Sequence, residues 1–430
     1  MTDPHSSETA RSAPDTGVAE RAVAAVWRIE SAKIVATLTR VVGDFGLAED
    51  LAQEALLDAL QQWPVEGVPR NGAAWLTAVA KRKAIDGWRR RERLDDRMAV
   101  LAHDLEREQA EAADAPPWDP DAVDDDVLRL IFIACHPVLS REAQVALTLR
   151  VVAGLPSEQI ARAFLVPTAT VQQRIVRAKK TLAAAHVPFD MPGRDEHATR
   201  LGGILGVLYL IFNEGHAASS GPDWMRPELS LEAIRLTRVL VALMPRERDA
   251  HSLLALMELT AARFPARIDA HGEPVLLADQ DRRRWDRARI ARGRAALATA
   301  DTLGSGRGPY GLQAAIAECH ALASSVEETD WDRIVVLYEA LGRIAPSPVV
   351  ELNRAAAVAM ATGPASALQI LDRLASSGAL AGYHLLPATR AELLRRLGRE
   401  EEARSEFAAA AALAGNDRER ALLEAKAADR

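Results

Sequence analysis

The stretch Ser157-Glu-Gln-Ile-Ala-Arg-Ala-Phe-Leu-Val-Pro-Thr-Ala-Thr-Val-Gln-Gln-Arg-Ile-Val-Arg-Ala-Lys-Lys-Thr-Leu-Ala-Ala-Ala185 carries two helical patterns separated by a proline. Its first eight residues read as an N-capped helix with Ile160, Ala161 and Phe164 on the inner face. Pro167 restricts Val166 and cannot continue a helix, so Leu165 to Ala169 is a turn. A second helix, starting at Thr168 or Thr170, carries Val171, Ile175, Ala178 and Leu182 inward at i, i+4, i+7 and i+11. That spacing sends Gln172, Gln173, Arg174, Val176, Arg177 and Lys180 outward, with Lys179 in the same acid-free run. Glutamine pairs bidentately with adenine, valine touches a thymine methyl, and arginine and lysine hold phosphate or guanine, so this face suits the major groove of DNA. A solvated basic face on an ordinary core helix would carry the same charge. The short pre-helix, the proline turn and the acid-free second helix together favour a helix-turn-helix.

Around this stretch the composition is that of a helical protein. The chain has 430 residues, room for about three domains, and is 49% hydrophobic, 26% charged and only 4% aromatic. Few aromatics and few β-branched runs predict an all-α fold. Cys135 and Cys319 stand too far apart for a disulfide framework or a paired-cysteine zinc pattern, which fits a reducing, cytoplasmic setting. The longest apolar run, Leu201 to Phe212, is about half the ~20 residues of a membrane span, and the N-terminus shows no signal-peptide core. No membrane partner is expected.

A net charge of -7 by itself argues weakly against a nucleic-acid partner. Its distribution says otherwise. Trp75 to Arg97 holds eight basic residues against four acidic ones, Met98 to Asp126 holds ten acids against Arg107 alone, and Thr168 to Leu182 holds four bases and no acid. Two basic blocks flank one acidic tether, which the Ala115 to Pro120 stretch keeps from being helical. Residues 1–18, polar and without apolar periodicity, read as a disordered tail. The expected organisation is a helical domain over 19–97, an acidic linker over 98–124, the helix-turn-helix domain over 125–187 and a helical remainder over 188–430. In the first domain Val23, Val26, Trp27, Ile34, Val35 and Leu38 recur at helical spacing, then Leu51, Ala55, Leu56 and Leu60, and Asn71 suits the N-cap of a third helix reaching Arg93.

Three strings in this order are similar to extracytoplasmic-function sigma factors of bacterial RNA polymerase: Ala48-Glu-Asp-Leu-Ala-Gln-Glu-Ala-Leu-Leu-Asp-Ala-Leu60, Ala74-Trp-Leu-Thr-Ala-Val-Ala-Lys-Arg-Lys-Ala-Ile-Asp-Gly-Trp-Arg-Arg-Arg91, and Glu158-Gln-Ile-Ala161 through Lys180. The resemblance covers about residues 20–187 and implies sigma region 2 followed by region 4. It implies that Asp50, Gln53 and Glu54 face the clamp helices of core RNA polymerase. Trp75, Lys81, Arg82, Lys83, Trp88, Arg89 and Arg90 would bind and open the -10 element, and Gln172, Gln173, Arg174, Val176, Arg177, Lys179 and Lys180 would read the -35 element. The residues suit those roles. Asp50, Gln53, Glu54 and Asp58 share a helix face able to meet a basic partner, and a basic helix with tryptophans can hold flipped bases and track a single strand. A plain solvated face and a core Trp75 are the alternatives. The family's asparagine in the Trp75 helix is Arg82 here, and its turn glycine is Leu165. The linker's place implies a path through the polymerase RNA channel, or a flexible spacer.

The remaining half carries degenerate repeats. Ile334, Tyr338, Leu341 and Pro346 stand at the offsets of a tetratricopeptide second helix, echoed by Gly363, Ala367, Leu371 and Leu374 and by Gly398, Ala403, Phe407 and Ala410. Other helical hairpins would give the same spacing. Tyr209 to His216 and Asp279 to Asp286 resemble the C-terminal extension of a sigma-factor subgroup with tetratricopeptide-like domains, implying a regulatory half that contacts the sigma domains or another partner. Asn213, Glu214 and His216, with Asp279, Asp281 and Trp285, are read either as helix-end capping or as an interdomain or small-ligand site. No metal motif, nucleophile elbow or phosphate loop is present, so neither an enzyme nor a cofactor is expected. The alternative function is a regulator that binds DNA independently of polymerase and senses a ligand or protein through its repeats.

Overall fold

The structure is a computed structural model and describes residues 16–92, 120–164, 166–218, 224–269 and 273–429. Its regular elements are helices, with one isolated bridge between Ile268 and Pro274. The chain divides into two compact units, residues 1–162 with 166–204, and residues 163–165 with 205–430.

The first unit begins with α1 (Thr16–Val42), α2 (Phe45–Glu66) and α3 (Gly72–Glu92). Asp44 caps α2 through Leu47 N, and Asn71 accepts from Ala74 N at 3.0 Å at the start of α3, as its N-cap chemistry predicts. Val23, Trp27, Ile34, Val35 and Leu38 of α1 are buried. The inner face of α2 runs through Ala48, Leu51, Ala52, Ala55, Ala59 and Trp63, whereas Leu60 is 39% exposed. Alanines dominate this face, with Leu51 and Trp63, and α1 packs against it. The next elements are α4 (Pro120–Ala134), α5 (Arg141–Leu147) running into a π-helical turn over Thr148–Val152, α6 (Ser157–Ala163) and α7 (Thr168–Ala184). The expected tail and most of the acidic linker lie outside the described residues, as does Leu165 in the turn. Where those segments end, helices start earlier than the sequence suggests: α1 at Thr16 and α4 at Pro120. Pro120 reads as a breaker but sits at the first helical position, where its missing N–H costs nothing.

The sequence divides this stretch into two domains, yet α1–α3 and α4–α7 pack within one unit. Asp126, the last acid of the tether, is 1% exposed and holds Arg40 of α1 at 2.9 Å and Arg129 at 2.7 Å. Gly154, at φ 69°, follows the π turn so close to α1 that a Cβ would lie 2.5 Å from Ser31 Oγ, so glycine is required twice over. The amino-terminal part of α8 (Arg194–His216) also belongs here: Arg200 donates to Phe132 O at 3.1 Å and Arg141 to Gly203 O at 3.1 Å.

The second unit takes up α8 from Leu205 and adds α9 (Pro227–Leu243), α10 (Arg248–Ala261), α11 (Arg287–Thr302) and α12 (Pro309–Leu322). Gly215 lets α8 cross the start of α9: a Cβ there would meet Ser230 N at 2.4 Å. Six helices follow, α13 (Trp331–Ile344), α14 (Pro348–Ala361), α15 (Pro364–Ser376), α16 (Leu385–Arg396), α17 (Glu400–Leu413) and α18 (Asp417–Ala428). Each packs on its sequence neighbour, the pattern of a helical repeat array. The repeat anchors Ile334, Ala367 and Ala403 fall on alternate helices α13, α15 and α17 and are at most 1% exposed. Leu371, Phe407 and Ala410 join one core with Leu352, Leu386 and Leu423.

Candidate nucleic-acid interface

The helix-turn-helix forms around the core expected of it. Ile160, Ala161, Val171, Ile175, Ala178 and Leu182 are buried, Phe164 is only partly so, and α7 starts at Thr168 directly after Pro167. Gln172, Gln173, Val176, Arg177 and Lys180 are exposed and Arg174 partly so, giving one continuous polar face with Val176 half exposed at its centre.

Lys179 does not join that face. Its ammonium donates to Asp50 Oδ1 at 2.7 Å and to Glu49 Oε2, and its side chain is only 15% exposed. Arg150 reaches the other oxygen of Glu49 at 3.4 Å. Burial opposes the lysine's charge, but Glu49 and Asp50 outweigh it and hold its pKa above the usual value. Lys179, expected at the -35 element, is here an ion-pair partner of α2.

The acidic face of α2 is engaged in the same way. Lys83 of α3 lies 3.0 Å from Asp58 and 3.5 Å from Glu54, and its hydrogen bond to Asp58, against some desolvation, raises its pKa. Lys83 thus pairs inside the unit, while Arg82 beside it is exposed. Glu54 is paired, and Gln53 is partly buried. What the sequence reading missed is the apolar part of this surface. Leu57 is 57% and Leu60 39% exposed, at the i+4 and i+7 positions from Gln53.

Between α2 and α3 lies an open groove of about 320 Å³, lined by Trp75, Val79, Arg82, Lys83 and the acids Asp58 and Asp86. Trp75 is partly buried and meets the fully buried Trp63 edge to face, with centroids 5.6 Å apart. Trp63 fills the core and Trp75 lines the groove. Lys81 is partly buried in α3. Trp88, Arg89 and Arg90 continue α3, and their side chains lie outside those described.

The residues singled out in the C-terminal half do not converge on one site. Glu214 pairs with the buried Arg226 at 2.6 Å, and His216 ends α8 against Arg267. Asp279 and Asp281 are exposed, and Asp281 caps the following turn through Arg283 N and pairs with the Arg283 side chain at 3.0 Å. Trp285 is 3% exposed, in a core with Leu256, Leu259 and Ile290. Among the described residues no group of histidine, cysteine and acid side chains could hold a metal ion. Burial pushes the Cys135 thiol up to about 11, against a contact to Thr148 that lowers it. No described helix is long and apolar enough to cross a membrane.

Comparison with known proteins matches the family described as Sigma-70 region 2 over residues 29–94 and that described as Sigma-70, region 4 over residues 129–182. The Mycobacterium tuberculosis protein named "Probable ECF RNA polymerase sigma factor SigI" is 32% identical over 169 residues, 38% of this chain and 56% of its own length. The chain belongs to the extracytoplasmic-function sigma factors. Region 2 of this sigma factor is therefore built on α1–α3 and region 4 on α4–α7. Residues 200–301 match a family of unknown function. An uncharacterized protein of Rhizobium meliloti (strain 1021) is 45% identical over 389 residues, 90% of each chain, so it shares the extension as well as the sigma regions. No solved structure matches. As a sigma factor the chain has core RNA polymerase and promoter DNA as its partners.

Proposed function

We propose that this sigma factor reads the -35 element with Gln172, Gln173, Arg174, Val176, Arg177 and Lys180 of α7. The observation that carries the reading is the exposure of this whole face on a helix whose opposite face is buried. The groove holding Trp75 and Arg82 accepts an unstacked base of the -10 element, and the α3 helix continuing to Trp88, Arg89 and Arg90 tracks the separated strand. Gln53, Leu57 and Leu60 with Asp50 and Glu54 form the polymerase-binding face, whose mixed apolar and acidic character suits a basic clamp helix.

The structure is a closed form of this machine. Lys179 occupies Asp50 and Glu49, and Lys83 occupies Glu54 and Asp58, so the acids that would meet polymerase are neutralised from within. Binding polymerase exchanges the Lys179 pairs for intermolecular ones and separates region 4 from region 2, as two promoter elements on one DNA require. The C-terminal half modulates that exchange. The activity is binding throughout, in the cytoplasm, without a catalysed reaction.

Transcription in vitro tests the reading. Core polymerase with this protein should give promoter-dependent transcripts from genomic fragments, and the two should co-purify. Absence of both, at protein concentrations that saturate other sigma factors, overturns it.

A further inference from the structure

Arginines of the second unit differ in what holds their charge. Glu258, 1% exposed, takes Arg238, Arg289 at 3.0 Å and Arg292 at 3.4 Å, so three guanidinium groups share one buried carboxylate. Shortly after α10, Arg263 and Arg267 have none. Among the described residues no carboxylate lies within ion-pair distance of either, and the charged groups that act on them are other arginines.

Their surroundings are aromatic and rich in donors. The Arg263 guanidinium lies 5.9 Å from the Trp285 ring centre, and Arg282 lies over the same ring at 5.1 Å. Arg267 lies 5.7 Å from the Trp224 ring centre and donates to the backbone oxygen of His216. Arg282 is satisfied by His320 O, Ala323 O and Thr329 Oγ1, so it braces the cluster. The others are not: Arg263 Nε, Trp224 Nε1 and Trp285 Nε1 are buried and have no acceptor. Burial, with the neighbouring arginines, pushes Arg263 down to about 10 and Arg267 down to about 9, and keeps His216 neutral. Unpaired buried cations are costly, and stacking on an indole offsets only part of that cost. Arg263 as a whole retains some exposure, so the cluster opens to solvent on that side.

We propose that Arg263 and Arg267, with the indole N–H groups of Trp224 and Trp285, form a receptor for a small ligand bearing an oxyanion, a phosphate or a carboxylate. The missing partner is an acceptor with several lone pairs and negative charge, which a guanidinium fork and indole N–H donors recognise. Glu214 and Arg226 satisfy each other and stand outside the receptor. This assigns a ligand class to the C-terminal half and stands whether or not that half controls transcription.

The full chain is melted in sodium phosphate, in sodium succinate and in sodium chloride at matched ionic strength. One of the two oxyanions should raise the melting temperature saturably by a few degrees above chloride, and which one does so separates a phosphate-bearing from a carboxylate-bearing ligand. Arg263→Met should abolish that rise while melting, in chloride, no lower than the parent, because it removes an unpaired charge. Arg283→Met, at an exposed pair, should leave the rise intact. Trp285→Phe keeps the ring and loses the donor, and should weaken binding severalfold. Equal melting in all three salts, or an undiminished rise in both Arg263→Met and Trp285→Phe, overturns the proposal.

Discussion

Lys179 donates to Asp50 at 2.7 Å, so a residue of α7, the helix proposed to read DNA, neutralises one 129 positions earlier on α2, the helix proposed to meet polymerase. Asp50 is 66% exposed and contributes little by itself, but the same ammonium holds Glu49, which is 4% exposed. Lys179→Met leaves Glu49 with Arg150 alone, and losing one partner of a buried pair costs about 3 kcal/mol. The closed packing is thereby weakened, and the fraction of molecules competent for polymerase rises. Apparent affinity for core polymerase should increase at least severalfold in a fluorescence titration. Unchanged or weaker binding would show that the pair does not restrain the factor.

The exposed face of α7 predicts two separable defects. If Arg177 holds a phosphate, Arg177→Ala weakens promoter binding evenly across sequences and reduces the salt slope by about one unit. Gln172→Ala instead changes preference at one position of the -35 element. A selection from randomised -35 sequences distinguishes them, and an unaltered preference removes Gln172 from the reading set.

Trp63 and Trp75 touch edge to face but sit on different sides of the fold's boundary. Trp63, 1% exposed and packed against Gly72, should cost about 3 to 5 kcal/mol on replacement by alanine. Trp75→Ala should cost far less in a denaturant melt, yet slow formation of the open promoter, read by permanganate reactivity of unpaired thymines. Equal opening by Trp75→Ala and the parent would return Trp75 to the core.

These examples mark what the sequence could and could not carry. The faces of α7 follow from a period of 3.6 residues, so its buried and exposed sets were legible residue by residue, as was the all-helical fold. The acid-free run and the family resemblance place Lys179 at the -35 element, whereas the helical period leaves it off the outward set; its partners Glu49 and Asp50 come from another helix, which local pattern does not report. Pro120 looked like a stop because a proline's meaning depends on whether a helix precedes or follows it. The sequence groups Trp285 with Asp279 and Asp281, which are exposed, whereas its ring faces Arg263 and Arg282, which local pattern does not link to it. Arginine abundance, a compositional trait of the whole chain, gives Arg263 and Arg267 no distinction in the sequence.

His320 gives the second unit a pH dependence of definite sign. Burial, with Arg263 and Arg282 nearby, lowers it to about 3 from an ordinary 6.5. The unfolded chain therefore takes up a proton that the folded one refuses, so stability is complete above about pH 6.5 and falls as the pH drops from there toward 3. His216, also lowered by burial, adds to the effect. The loss should approach about 1 kcal/mol per pH unit for each histidine in urea titrations. Carboxylates contribute to any acid transition, so the decisive comparison is His320→Gln, whose stability should vary less between pH 7 and 5 than the parent's.

The boundary within α8 decides how the C-terminal half should be removed. Composition suggests cutting at residue 188, but Arg200 holds Phe132 O and Gly203 O receives Arg141, so residues 194–204 complete the first unit. A chain ending at Ile204 should keep the sigma regions folded, whereas one ending at Val187 loses those contacts and should melt lower. That difference matters for the regulatory reading, because a destabilised sigma half would mimic loss of an activator. Promoter-dependent transcription by the 1–204 chain should therefore differ from that of the full chain, upward if the C-terminal half restrains polymerase binding and downward if it assists. Equal transcription at equal polymerase occupancy would deny that half a modulating role, leaving its oxyanion receptor to serve some other end.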